Sequence, residues 1–132
     1  MTENNFTFQE LISFTEAYQK VANEKMSLSA AFKLSQLSKK VSECIAFYQD
    51  KYTTYLQKYA EIEEEGGYKM NPDKSGIVLK KDSLEEAQKA FRELDEYKFP
   101  LTYEKIPLSA FENIQIAPSE LSGLLLFIDE EN

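Results

Sequence analysis

Leu34, Leu37, Val41, Ile45, Tyr48, Tyr52, Tyr55, Tyr59 and Ile62 recur every three or four residues, and no Gly or Pro interrupts Lys33–Glu65. That period marks one face of an α-helix. It predicts a single long helix that begins near the capping serines Ser27 and Ser29 and ends at Gly66-Gly67. At ~1.5 Å per residue it would extend for roughly 50 Å. The steps of three, four, four and three from Leu34 to Tyr48 sit nearer an eleven-residue repeat than a heptad. They favour nearly straight local packing over a long left-handed supercoil. A seam of this length has to be covered along its whole course, by the rest of the chain or by a second copy.

The flanking pattern supplies candidates. A first helix is expected from about Phe8 to Asn23, opened by the Thr7/Glu10 capping box and striped by Leu11, Phe14, Tyr18 and Val21. After Gly67 the character changes. Tyr68–Met70 and Gly76–Lys80 read as the arms of a small β-hairpin around Asn71–Ser75, whose Pro and Asp favour a turn. Asp82 or Ser83 caps a further helix running to about Tyr97, with Leu84, Ala87, Phe91 and Leu94 facing inward and Pro100 forbidding continuation. Leu101–Phe111 alternates in part and reads as a strand that Pro107 places at an edge or bend. Asn113–Ile116 is an extended link. Pro118 suits the first turn of a last short helix over Ser119–Ile128. The expected architecture is α+β and helix-dominated: a long central helix packed against shorter ones, with a small β-hairpin and one further short strand. Its 132 residues form a single domain by the usual size prior, with a helical hairpin over 7–65 and the remaining elements over 68–128.

Charge narrows the function classes. The formal net charge is −8, yet Leu28–Ala60 is locally basic, with Lys33, Lys39, Lys40, Lys51 and Lys58 against Glu43 and Asp50. Acids collect in Glu61–Glu65, Asp82–Glu96 and Asp129–Glu131. So acidic a chain, with Arg92 its sole arginine, is a poor nucleic-acid binder, because phosphate neutralisation needs clustered Lys and Arg. No apolar run approaches the ~18 residues that cross a bilayer, and the polar start Met1–Asn5 is unlike a signal peptide. A cytoplasmic protein without membrane association is the expectation.

Candidate chemistry is sparse. There is no histidine, so a Ser–His or Cys–His pair cannot form within one copy, nor can a Cys/His zinc site. Cys44, the only cysteine, falls on or beside the seam and reads as a small buried hydrophobe. Gly66-Gly67 ends a helix instead of opening one, unlike a phosphate-binding loop. Glu61, Glu63, Glu64 and Glu65 point in different directions along a helix and lack the glycine-bearing turn of a calcium loop. No catalytic, cofactor or metal residues are expected. Two sets remain as interaction candidates: the tyrosine row Tyr48, Tyr52, Tyr55 and Tyr59, and the acids Glu85, Glu86 and Glu93. Tyrosines at helical spacing bury their rings and bring the hydroxyl to an edge. As base-stacking platforms they would need interleaved arginines.

Three stretches carry a resemblance: Met26-Ser-Leu-Ser-Ala30 leading into Phe32–Ala46, the helix end Tyr59-Ala-Glu-Ile-Glu-Glu-Glu-Gly66, and the C-terminal block Ile106–Phe111, Ile116–Leu121 and Leu125–Ile128. In the order of its elements the chain resembles, over about residues 5–130, a family of small uncharacterised proteins of tailed bacteriophages and prophages. The tyrosine-rich seam departs from that family's pattern. The resemblance implies a viral origin and an accessory or assembly role, and it brings no functional residues with it. The expected function is non-catalytic protein–protein interaction, as an assembly factor or a modulator of a host protein, in the host cytoplasm. The alternatives are an acidic nucleic-acid-mimicking inhibitor of a host or defence protein, or a protein that sequesters a small molecule. A homodimer through the long helix is also expected.

Overall fold

The structure is a computed structural model that describes residues 2–72, 76–112 and 114–129. It is an α+β fold dominated by helix, with one helix far longer than the rest. The chain divides into two compact units, residues 1–46 with 98–132, and residues 47–97. The long helix supplies Leu28–Ala46 to the first and Phe47–Tyr59 to the second.

In the first unit, strand β1 (Thr2–Thr7) runs into helix α1 (Phe8–Val21). The capping box forms as expected: the Glu10 amide donates to Thr7 Oγ1 at 3.3 Å, and the Thr7 amide donates to Glu10 Oε1 at 2.9 Å. β1 itself is a finding. Thr-Glu-Asn-Asn-Phe-Thr carries little strand propensity, and of its residues only Phe6 is buried. The segment is extended because β2 (Lys98–Tyr103) offers a ladder, antiparallel from Thr2 opposite Tyr103 to Thr7 opposite Lys98. β2 alternates strictly, with Phe99, Leu101 and Tyr103 buried and Lys98, Pro100 and Thr102 exposed.

The strand expected over Leu101–Phe111 is broken. After Tyr103 the chain forms β3 (Ile106–Pro107) and then a 3₁₀ turn over Leu108–Phe111. β3 pairs in parallel with β4 (Ile128–Asp129). Between them lies α4 (Pro118–Leu124), with Pro118 in its first turn. A 3₁₀ turn over Leu125–Phe127 ends it sooner than the expected Ile128. α4 packs on α1 so closely that a β-carbon on Gly123 would lie 2.4 Å from the Ser13 carbonyl oxygen. Phe127 centres the core, its ring 4.8 Å from Phe6, 4.9 Å from Phe14 and 5.1 Å from Tyr103.

Helix α2 (Leu28–Tyr59) starts where Ser27 Oγ accepts from the Ala30 amide at 3.2 Å. It ends six residues short of the expected Glu65. The backbone is captured elsewhere: the Lys80 amide donates to the Tyr59 carbonyl at 2.7 Å and the Glu61 amide to the Val78 carbonyl at 2.9 Å. Glu61–Glu65 would also have stacked negative charge on a helix C-terminus, where the macrodipole disfavours it. Gly66, at φ 96°, serves a tight turn closed by its own amide on the Glu63 carbonyl at 2.9 Å.

The expected hairpin becomes a three-way arrangement. Ile62 bridges Tyr68, Met70 bridges Ile77, and Leu79 bridges Ala60, so each short segment joins the next and the last returns to the first. The middle residues close the ring: Glu61 donates to Val78, Val78 to Lys69, and Lys69 to Glu61, each at 2.8–2.9 Å. Asp73, Lys74 and Ser75 of the expected turn lie outside the described residues, as does Asn113 of the expected link.

Helix α3 (Leu84–Glu96) follows a 3₁₀ turn over Lys81–Ser83, and Ser83 precedes it without a side-chain cap bond. Ala87 and Leu94 are buried as expected, Phe91 is half-buried, and Leu84 is exposed, displaced by the 3₁₀ turn before it. The seam also needs correction. Tyr52 is 40% and Ile62 57% exposed, while Leu56 and Ala60 are buried. Ile62 left the seam when the helix ended, and the register that buries Tyr48 and Tyr59 turns Leu56 inward ahead of Tyr52.

Candidate functional site

The tyrosine row is a helix-packing comb. The Tyr48 hydroxyl donates to Asp95 Oδ1 at 2.5 Å, and Tyr52 and Tyr55 both meet Phe91 edge-on, at 5.4 and 5.7 Å between centroids. Moving up α2 from Tyr48 to Tyr55 thus moves down α3 from Asp95 to Phe91, so this half of α2 and α3 run antiparallel. Tyr48 and Tyr52 stack at 6.2 Å and 11°. Tyr59 lies against Tyr55 at 6.2 Å and carries Lys58 Nζ 5.1 Å from its ring centroid. The four rings thus pack on one another and on Phe91. The row holds the second unit together, with Tyr52 its most exposed member.

Burial, and then the hydrogen bond to Asp95 and its charge, push the Tyr48 phenol well above its ordinary value of 10.0. The proton is therefore held more tightly folded than unfolded. Stability from this group is complete below pH ~10 and is lost as pH rises from there toward the folded value. Tyr48→Phe is expected to cost about 1–2 kcal/mol at neutral pH, the worth of a hydrogen bond to a charged group near the surface. The wild-type advantage over this variant should shrink above pH ~10. Urea unfolding of both proteins across the alkaline range checks it, and an advantage that grows with pH would refute the hydrogen-bond assignment.

Glu85, Glu86 and Glu93 are exposed on α3. They do not form an uninterrupted acidic face, because Lys89 stands four residues from both Glu85 and Glu93, the spacing of helix-surface pairs, and Arg92 lies beside Glu93. Glu86 is also an electrostatic neighbour of Lys58. Among the described residues no group of His, Cys, Asp and Glu is arranged to hold a metal ion. Cys44 is half-buried, and burial followed by the Glu43 charge pushes its thiol up, away from a reactive thiolate.

Sequence reasoning missed a cleft in the first unit. Phe32, Lys33, Gln36, Leu37 and Lys40 of α2 line it with Tyr103 and Glu104 at the end of β2, enclosing about 220 Å³. Leu37 and Tyr103 are buried, while Phe32 is 63% exposed. Lys40 donates to the Thr102 carbonyl, and Lys33 Nζ lies 3.8 Å from Glu104 Oε2. The available signal was Leu28 with Phe32, an apolar pair one turn apart and off the seam. Comparison with known protein families, with curated proteins and with solved structures finds no match.

Proposed function

We propose that the protein works by protein–protein interaction, as a phage or prophage accessory protein that assists assembly or modulates a host protein in the host cytoplasm. The observation that carries this reading is the exposed apolar step on α2, where Leu28 is 86% and Phe32 63% exposed, one helical turn apart. Large apolar side chains grouped on a helix face beside a cleft are the usual mark of a contact surface. Phe47, Ile62 and Tyr97 add exposed apolar area in the second unit. No helix among the described residues is long and apolar enough to cross a membrane. The homodimer remains a proposal, with the exposed apolar side chains as its support. The acidic-mimic alternative draws on the −8 charge and is weakened by Lys89 and Arg92 within α3.

Two variants separate the readings. Phe32→Ser removes exposed apolar surface and should leave stability within about 0.5 kcal/mol. Glu85, Glu86 and Glu93 all changed to lysine invert the acidic face. In capture from phage-infected host extract, we expect a partner retained by the wild type and the lysine variant and lost by Phe32→Ser. Loss by the lysine variant with retention by Phe32→Ser would select the acidic mimic. Retention of the purified protein on DNA at physiological salt would overturn both.

A further inference from the structure

Residues 28, 32, 36 and 40 stand four apart and so form one row along α2. The row reads Leu, Phe, Gln, Lys, an apolar end grading into a cationic one. Beside it opens the cleft floored by Leu37 and Tyr103. At about 220 Å³ it falls below the usual ~300–1,000 Å³ of small-molecule sites and suits one large side chain. Its walls and floor are apolar where a ring would enter. Its polar lining is spread along the row, with Lys33 and Glu104 beside Phe32, Gln36 in the middle and Lys40 about two turns further on.

This lining is cationic, two lysines to one acid, on a chain of charge −8. Lys33 faces Glu104, so its charge is met across the cleft. Lys40 is positioned by a neutral carbonyl, that of Thr102, which orients the ammonium without cancelling its charge. Lys39, outside the lining, precedes it on the helix and has Glu43 four residues on, so the excess rests on Lys33 and Lys40 against Glu104. The cleft thus pairs an apolar slot with positive charge in excess of its single acid.

Building on the interaction reading above, we propose that this cleft is the docking seat for an acidic protein segment carrying one aromatic side chain. The ring enters over Leu37 and Tyr103 and packs on Phe32, and a neighbouring carboxylate of the segment pairs with Lys40. Charge complementarity selects this occupant. A basic segment would bring its cations against Lys33 and Lys40. A nucleic acid or an anionic lipid surface would meet the same lysines but extend past the cleft over the rest of an acidic molecule, whereas a short acidic segment stays within about a Debye length of Lys33 and Lys40. A large aromatic side chain in a well-packed pocket is also the usual anchor of an interface hot spot.

The chain contains no tryptophan, so a probe peptide with a single tryptophan reports its own burial without interference. The probe is the capped peptide Asp-Glu-Trp-Asp-Glu, and its control carries Asn and Gln in place of the acids. Both are titrated with the full chain and followed by tryptophan emission. We expect a blue shift and saturable binding of the acidic peptide, with the amide control at least ~5-fold weaker. Gln36 lines the cleft and is exposed, so changing it alters charge without disturbing the core. Gln36→Glu should weaken binding by about tenfold or more, equivalent to ~1.4 kcal/mol, and Gln36→Lys should strengthen it. Unchanged thermal melting of both variants confirms the fold.

Equal binding of acidic and control peptides, or indifference to Gln36→Glu, would overturn the proposal. So would binding of the acidic peptide that survives Phe32→Ser undiminished. A dimer seen by light scattering without peptide and abolished by Gln36→Glu would assign the cleft to a second copy instead. Capture of a host or phage protein that persists in Gln36→Glu would sink this site and leave the interaction reading standing. Failure of all capture would remove that reading first.

Discussion

Phe127→Ala is expected to destabilise the protein by roughly 3–5 kcal/mol, a large share of the ~5–15 kcal/mol that holds a domain folded. The ring is 1% exposed and touches Phe6 of β1, Phe14 of α1 and Tyr103 of β2, so one truncation opens a cavity shared by three elements. Those neighbours cannot collapse inward together, since β1 and β2 are tied by their ladder and α1 is pressed against α4 at Gly123. Phe127→Leu keeps most of the volume and should cost less than half as much. Denaturant unfolding of both variants measures the effect. Near-equal losses would mean that shape around the ring matters less than its chemistry, contrary to this packing.

Gly123→Ala should cost roughly 2–3 kcal/mol through overpacking, although alanine at an open helix site would gain about 1 kcal/mol over glycine. The added β-carbon would lie 2.4 Å from the Ser13 carbonyl oxygen and 3.1 Å from the Ala17 β-carbon, and the first of these is backbone within α1. α4 would have to lift off α1. Gly67→Ala is the matched control, because nothing lies within 4 Å of the added atom and its φ is not positive. It should be neutral or gain a few tenths of a kcal/mol by restricting the unfolded chain. Thermal melts that rank the two variants the other way would show that α1 and α4 are not in contact at Gly123.

The features legible in the sequence were those fixed by near neighbours. The Thr7/Glu10 box, the Ser27 start of α2 and Pro118 in the first turn of α4 each rest on contacts three or four residues apart. The seam of α2 was legible as far as Tyr48 because period alone decides it. Its end was not, since Ala60–Ile62 leaves the helix for hydrogen bonds with Lys69 and Val78, partners that no local pattern announces. β1 was invisible for the same reason: Asn4 and Asn5 argue against a strand until β2 lies alongside. Of the site candidates, the tyrosines form one packed comb with α3. Glu85, Glu86 and Glu93 stay on the surface without converging on a pocket. The cleft joins Leu37 of the seam to Tyr103 of a distant strand, and only Leu28 and Phe32, apolar residues where the helix should have been polar, pointed to it.

The division into a continuous unit and an interrupted one has a consequence for how the chain is made. Everything that residues 47–97 need for their ring of bridges and their helix pair is present once Tyr97 has been synthesised. The other unit must wait. β1 emerges first but finds its partner only with β2, and Phe6 and Phe14 lack their shared ring until Phe127 has followed. During synthesis at ~5–20 residues per second, the opening third of the chain therefore carries unmatched apolar surface for several seconds while a later segment is already complete. Residues 1–46 are thus finished after residues 47–97 although they are made before them, and the exposure of Phe6, Leu11 and Phe14 in that interval is where a nascent-chain chaperone has most to protect.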